Sequence, residues 1–79
     1  MSKAKLQGTD LCDANLSNAD LTGADLRGAL LLRTNLMGAK LDGADLRWAA
    51  LTDAIPLDID LSLAHISRTI LPGGFASDG

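Results

Sequence analysis

Disulfides are excluded at the outset, because the chain holds a single cysteine, Cys12. With one histidine, His65, it also lacks the Cys/His set that would hold a structural zinc. Tyrosine is absent and the aromatics reduce to Trp48 and Phe75, so no cluster of rings can anchor a core. No stretch approaches the ~18 apolar residues of a membrane-spanning helix. The opening MSKAKLQGTDL has lysines but no apolar run behind them. No secretory signal is visible, and a cytoplasmic protein is expected, with a removed leader left open. Seven Lys and Arg against ten Asp give a net charge of −3, which argues against binding nucleic acid or an anionic membrane by charge. At 79 residues a single globular core is marginal. The chain must hold together without staples and without large side chains.

What it has instead is a period. Leucine stands at 6, 11, 16, 21, 26, 31, 36, 41, 46 and 51. Two residues before each is alanine or threonine, from Ala4 and Thr9 to Ala49. The residue between is most often acidic or its amide: Asp10, Asn15, Asp20, Asp25, Asn35, Asp45. A period of five fits neither the 3.6 of a helix nor the 2.0 of a strand. Gly8, Gly23, Gly28, Gly38 and Gly43 share the last repeat position, where a chain turning a corner favours glycine. The inference is a solenoid. Each unit is one short side, its leucine and small residue point inward, and stacking supplies the core that no unit can build alone.

The phrases ANLSNADLTGA and ADLTGADLRGA resemble the pentapeptide-repeat family, closely over 4–54 and loosely over 55–73. The resemblance implies an all-β fold, a right-handed quadrilateral β-helix with four units per coil and about 3.5 coils. The expected layout is one β-helical domain over 1–73, regular over 4–54 and degenerate or capping over 55–73, then a frayed tail over 74–79. Counting on by fives reaches Pro56, Leu61, Ile66 and Leu71, so the coil continues on the register. A capping helix is the alternative, because Ile59, Leu63, Ile66 and Ile70 have helical spacing.

With four units per coil, residues twenty apart stack about 4.8 Å from one another, and the chain makes a rod ~17 Å long. The inward columns then read Leu6–Leu26–Leu46–Ile66, Leu11–Leu31–Leu51–Leu71, Leu16–Leu36–Pro56 and Leu21–Leu41–Leu61. Asp25 falls beside Asp45, with Arg27 and Arg47 alongside. Asp20–Lys40–Asp60 and Asp13–Arg33–Asp53 alternate in sign, and Asn15 over Asn35 suggests an amide ladder. These columns describe a solvated, mutually neutralised surface. One side differs. Asp10–Leu30–Ala50–Ile70 and Cys12–Leu32–Thr52–Pro72 point outward, so Leu30, Leu32, Ala50 and Ile70 form an apolar patch, which Met37, Ile55 and Leu57 extend onto the next side. Exposed apolar patches of this kind mark contacts.

No constellation for catalysis, cofactor or metal emerges. His65 and Cys12 fall on different sides and nearly three coils apart, on the order of 13 Å along the axis, beyond nucleophile–base reach. Asp25 and Asp45 read as salt-bridge partners of Arg27 and Arg47 rather than as a calcium site. The glycines follow no phosphate-loop pattern. The expected function is a non-enzymatic structural or protein-interaction module. It would use the apolar patch, or the C-terminal end with Ile59, Leu61, Leu63, Ile66, Ile70, Leu71 and Phe75, to bind a protein partner or a second copy. No nucleic-acid or membrane partner is expected. The resemblance also implies an alternative, since some members resemble DNA and protect gyrase from quinolone drugs. A mimic of duplex charge density needs roughly three net negative charges per coil, far more than this chain carries. The family is widespread in bacteria, notably cyanobacteria, and many members have no assigned task.

Overall fold

A computed structural model describes residues 3–56 and 59–74. Its building block is a five-residue unit in which nearly every backbone donor has one assigned partner. The leucine carbonyl closes a turn by accepting from the amide three residues on, as Ala24 N–H does to Leu21 (2.9 Å) and Ala49 N–H to Leu46 (3.0 Å). Of the two central turn residues only the second lies at positive φ, the type II pattern. The leucine amide donates to the carbonyl nineteen residues ahead, as from Leu6 to Asp25 (2.8 Å). The amide before it donates backward, from Asp25 to Ala4 (2.8 Å), and the positive-φ residue donates forward, from Gly8 to Arg27 (3.0 Å).

One N–H per unit remains, on the residue after the leucine. Here the Asp or Asn before the leucine earns its recurrence. Its Oδ1 accepts that amide at Cys12, Ser17, Thr22, Arg27, Met37, Arg47 and Ser62, at 2.9 to 3.2 Å. This is the side-chain mimic of a backbone turn that Asp and Asn form readily. The amide ladder expected from Asn15 and Asn35 is replaced by it. The two residues pair through their backbones, and both side-chain oxygens serve their own turns.

Every bridge of the stack has a twenty-residue spacing. Parallel bridges join Lys5–Asp25–Asp45–His65, Asp10–Leu30–Ala50–Ile70, Asn15–Asn35–Ile55 and Asp20–Lys40. Each bridge is one residue long, because the chain turns a corner before a strand can extend. Among the described residues no helix occurs, and His65 and Ile70 still pair with the row below. The fourth column stops at Lys40, and there the ladder slips: Gly43 donates to Leu63 (2.7 Å), one residue beyond the regular spacing. Ile59 stands in that stretch where regular units have alanine or threonine, and it is half-buried against the core.

The core is a column of leucines with alanines at the corners. Leu21, Leu26, Leu31, Leu36, Leu41, Leu46 and Leu51 are buried, with Ala24, Ala29, Ala44, Ala49 and Ala54 between them. Thr34 and Thr69 replace alanine without leaving a buried polar atom unpaired. Their hydroxyls donate to the carbonyls of Leu11 (2.8 Å) and Leu46 (2.7 Å). Leu6, Leu11, Leu16, Leu61, Ile66 and Leu71 are half-buried, since terminal rows have a neighbour on one side only. Pro72, expected to face outward, is buried. It takes the first central position of the turn that Gly74 N–H closes on Leu71 (2.8 Å), where proline's fixed φ fits. The molecule is a block of 26 × 22 × 21 Å rather than a rod. Of the tail expected over 74–79, residues after Gly74 lie outside the described residues.

Position within the stack sets the cost of a substitution. Leu46→Ala is expected to lose about 2–5 kcal/mol and Leu16→Ala, in the first row, clearly less. Gly38→Ala meets two penalties, a left-handed φ of 72° and a collision of the new methyl with Asn18 Oδ1. Gly8→Ala meets only the first. Urea midpoints for the four variants should therefore rank Leu46→Ala below Leu16→Ala and Gly38→Ala below Gly8→Ala. Equal midpoints within each pair would contradict this reading of the stack.

Candidate interaction face

The second column carries three successive departures from the unit's own rule, whereas Lys5, His65, Ile55 and Lys40 are departures in the other columns. At Leu30, Ala50 and Ile70 an apolar residue replaces the Asp or Asn that caps the turn amide. Leu30 is 42% exposed, while Leu32, Ala50 and Ile70 are half-buried. On the third face Met37 and Ile55 are 51% and 47% exposed, and Leu57 lies outside the described residues. The lost caps have a consequence. Among the described residues the amides of Leu32 and Thr52 have no hydrogen-bond partner. They belong to successive rows of one column. Pro72, next in that column, has no amide to cap.

Two side chains on the edge of this face have no counterpart in the expected patch. Trp48 is 63% exposed and lies at φ 67°, above Gly28 and Gly8 in its corner column. A bulky residue in the left-handed region costs about 1–2 kcal/mol, and exposure means that burial does not offset it. Arg68, next in the column at φ 54°, places its guanidinium carbon 5.1 Å from the indole centroid, a cation–π contact. The signal was present in the sequence as a tryptophan at the repeat position where glycine recurs. Leu63, 66% exposed, takes the equivalent corner position in its own unit.

Three arginine–aspartate pairs neutralise part of the polar surface, while among the described residues Asp10, Asp20, Asp42, Asp53 and Asp60 have no ion-pair partner. Arg27 grips Asp25 through two bonds of 2.9 Å, and Arg47 grips Asp45 at 2.9 and 2.6 Å. Arg33 reaches Asp13 in the neighbouring row at 2.8 and 3.0 Å. Among the described residues, Arg68 alone of the four arginines has no carboxylate partner. Cys12 shows no sign of activation. A hydrogen bond to the Asp10 carboxylate, then burial, pushes its thiol pKa up, away from the reactive thiolate. His65 stands above Asp45 in the first column, beside an open cleft of about 700 Å³ lined also by Arg47, Leu61 and Ile66. A second, more apolar hollow of about 590 Å³ lies at the C-terminal end among Ile59, Leu61, Ile66, Leu71 and Pro72. Among the described residues, no group of three or more His, Cys, Asp or Glu is placed to hold a metal ion. No helix there is long and apolar enough to cross a membrane.

The family model for pentapeptide repeats matches residues 1–31 and 19–55, with eight copies of the repeat. The chain belongs to the pentapeptide-repeat family. Its fold is accordingly the family's right-handed β-helix. Among solved structures it is similar to the pentapeptide-repeat protein Rfr23 from the cyanobacterium Cyanothece 51142, at 37% identity and a TM-score of 0.60, over 86% of this chain and 46% of that one. It also matches HetL of Nostoc sp. strain PCC 7120, a pentapeptide-repeat protein involved in heterocyst differentiation regulation. That match has 34% identity and a TM-score of 0.42, over 95% of this chain and 41% of that one. The chain thus spans less than half the length of either neighbour. No curated protein matches it.

The clasped carboxylates predict a pH dependence. Hydrogen bonds from the Arg27 guanidinium, with help from the Arg27 amide and from Gln7, pull the Asp25 pKa down to about 2. The Arg47 side chain lowers Asp45 and the Arg33 side chain lowers Asp13. A folded-state pKa below the unfolded value of about 3.9 adds stability that is complete above that value. It drains away as the pH falls toward 2. The urea midpoint should be level from neutrality down to about pH 5 and fall below about pH 4. Arg27→Gln should move the Asp25 carboxyl titration upward in ¹³C NMR, and an unmoved titration would refute the clasp.

Proposed function

We propose that this chain is a non-enzymatic interaction module that binds a protein partner through its second face, around Leu30, Leu32, Ala50 and Ile70. The proposal includes the finer architecture: a quadrilateral β-helix of about three and a half coils, supported by bridges at twenty-residue spacing in four columns. Pentapeptide-repeat proteins are commonly structural or interaction modules, which agrees with this reading. The observation that carries it is the exposure of Leu30 at a position where the fold itself has a use for Asp or Asn. An apolar residue there forgoes a backbone cap and gains no full burial, so its benefit lies outside the monomer.

The size of the face bears on the partner. The whole chain exposes 4481 Å², and a standard interface takes about 800 Å² from each partner. One entire side would be needed, and the apolar strip is only part of one. A limited contact with a partner is better supported than a stable dimer of two copies through this face. The alternative of a DNA-shaped gyrase binder has less support, because Arg27, Arg33 and Arg47 neutralise the acidic columns such a mimic would present.

Affinity capture with the wild-type chain beside the Leu30→Glu/Leu32→Glu variant tests the reading. Both should give the same circular dichroism, and the wild type should retain a protein that the variant loses. If every captured protein is held equally by both, the second face is not the binding surface. Light scattering should return a monomer, and a gyrase supercoiling assay should show neither inhibition nor protection.

A further inference from the structure

Resting on the second face as the contact surface, we infer that this surface continues around the Asp53 corner onto the third face, and that its partner is a basic segment, a lysine or arginine flanked on both sides by apolar side chains. The first observation is which carboxylates the fold leaves without an internal task. Asp10, Asp20, Asp25, Asp45 and Asp60 each accept the amide two residues on, at 2.9 to 3.2 Å. Asp13 accepts from Arg33 through both its oxygens. Among the described residues only the carboxylates of Asp42 and Asp53 make neither a hydrogen bond nor an ion pair. Asp53 is exposed. Arg33, next below it in the corner column, spends its guanidinium on Asp13 in the row beneath (2.8 and 3.0 Å).

The second observation is where Asp53 stands. The chain turns there from Ala50 and Thr52 on the second face to Ile55 on the third. One row below, Leu30 and Leu32 precede the same corner and Met37 follows it. Leu30, Met37 and Ile55 are 42%, 51% and 47% exposed. An open carboxylate therefore has open apolar side chains to either side. A cation can meet Asp53 while the apolar groups beside it cover Leu30 and Leu32 on one face and Ile55 and Met37 on the other. The third observation is the sign of the charge around the patch. Asp10 lies at the foot of the second column, and the unpaired cation of this face, Arg68, stands at its far edge over the Trp48 ring (5.1 Å). An acidic segment would meet Asp53 and Asp10 as like charges. A basic segment meets them as counter-charges and is steered to the Asp53 corner, away from the Arg68 edge. Asp42, the other free carboxylate, lies on the opposite side of the stack, between the fourth column and the first.

The probes are three capped heptapeptides: Ser-Leu-Ala-Arg-Ala-Leu-Ser, the same with Gln for Arg, and the same with Glu for Arg. Binding is read from the methyl resonances of Leu30, Met37 and Ile55 in the ¹³C-labelled chain. At low salt the Arg peptide should shift all three saturably and bind up to about five-fold tighter than the Gln peptide, the reach of one exposed ion pair, with the Glu peptide weakest. The preference should shrink as salt rises. Asp53→Asn keeps a residue that tolerates the corner's φ of 60°. It should fold as wild type does and lose the preference for Arg over Gln. Asp42→Asn removes the same charge elsewhere and should keep that preference. Leu30→Asn/Ile55→Asn puts the repeat's own residue at both positions without changing charge, and should stay folded and bind none of the peptides. The inference is overturned if the Arg peptide moves none of the three methyl signals at millimolar concentration, or if the three peptides bind alike. It is overturned equally if Asp53→Asn keeps the preference, if Asp42→Asn weakens it as much, or if the double Asn variant binds unchanged. Equal binding of all three peptides that the double Asn variant abolishes would retain the contact surface and reject only the basic partner. A second face that fails altogether is revealed by the capture experiment above.

Discussion

Everything in this fold depends on closing the backbone hydrogen bonds of a five-residue unit. Four of its five amides find carbonyls, one through the turn and three through neighbouring rows. The fifth points where no carbonyl is available. A buried or half-buried amide without a partner is costly, and the unit solves this with a side-chain oxygen placed immediately before the leucine. Leucine fills the interior, alanine or threonine admits the corner, and glycine or a tolerant polar residue takes the left-handed position. Each letter of the repeat answers a separate requirement of one short side.

A unit this fully constrained leaves few positions at which a sequence is free. Surface identity is concentrated at the residues before and after the leucine and at the corner. On the first face those positions hold Asp25, Arg27, Asp45 and Arg47, which satisfy one another and present little net charge. On the second they hold Leu30, Leu32 and Ala50, with Trp48 at the corner, which satisfy less of their own backbone. The two faces therefore differ in how completely each meets its own hydrogen-bonding needs.

Much of this was legible in the sequence, for a physical reason. A period of five that matches neither helix nor strand admits few architectures, and the buried leucines lie on its register. The function of Asp and Asn was not legible. Their pattern reads as a solvated surface until the turn geometry shows an amide lacking a partner, and the expected Asn15–Asn35 ladder gave way to that local need. Trp48 escaped notice because a lone aromatic in a polar run looks incidental. Its meaning depends on a φ of 67°, which spacing does not disclose. Pro72 keeps the column register, its carbonyl accepting from the Asp53 amide (3.0 Å) as that of Thr52 does from Arg33 (2.9 Å), so spacing alone does not disclose that it is buried.

The twenty-residue bridge spacing has a consequence for how such a surface can change over evolutionary time. Insertion or loss of a single unit keeps every leucine inward, so folding tolerates it. It also turns all downstream residues by one face, and Ile70 would no longer stand over Ala50. Only changes in blocks of four units leave the columns aligned. The architecture thus behaves like a dial with four stops, on which a binding surface is kept, or scrambled, by whole clicks.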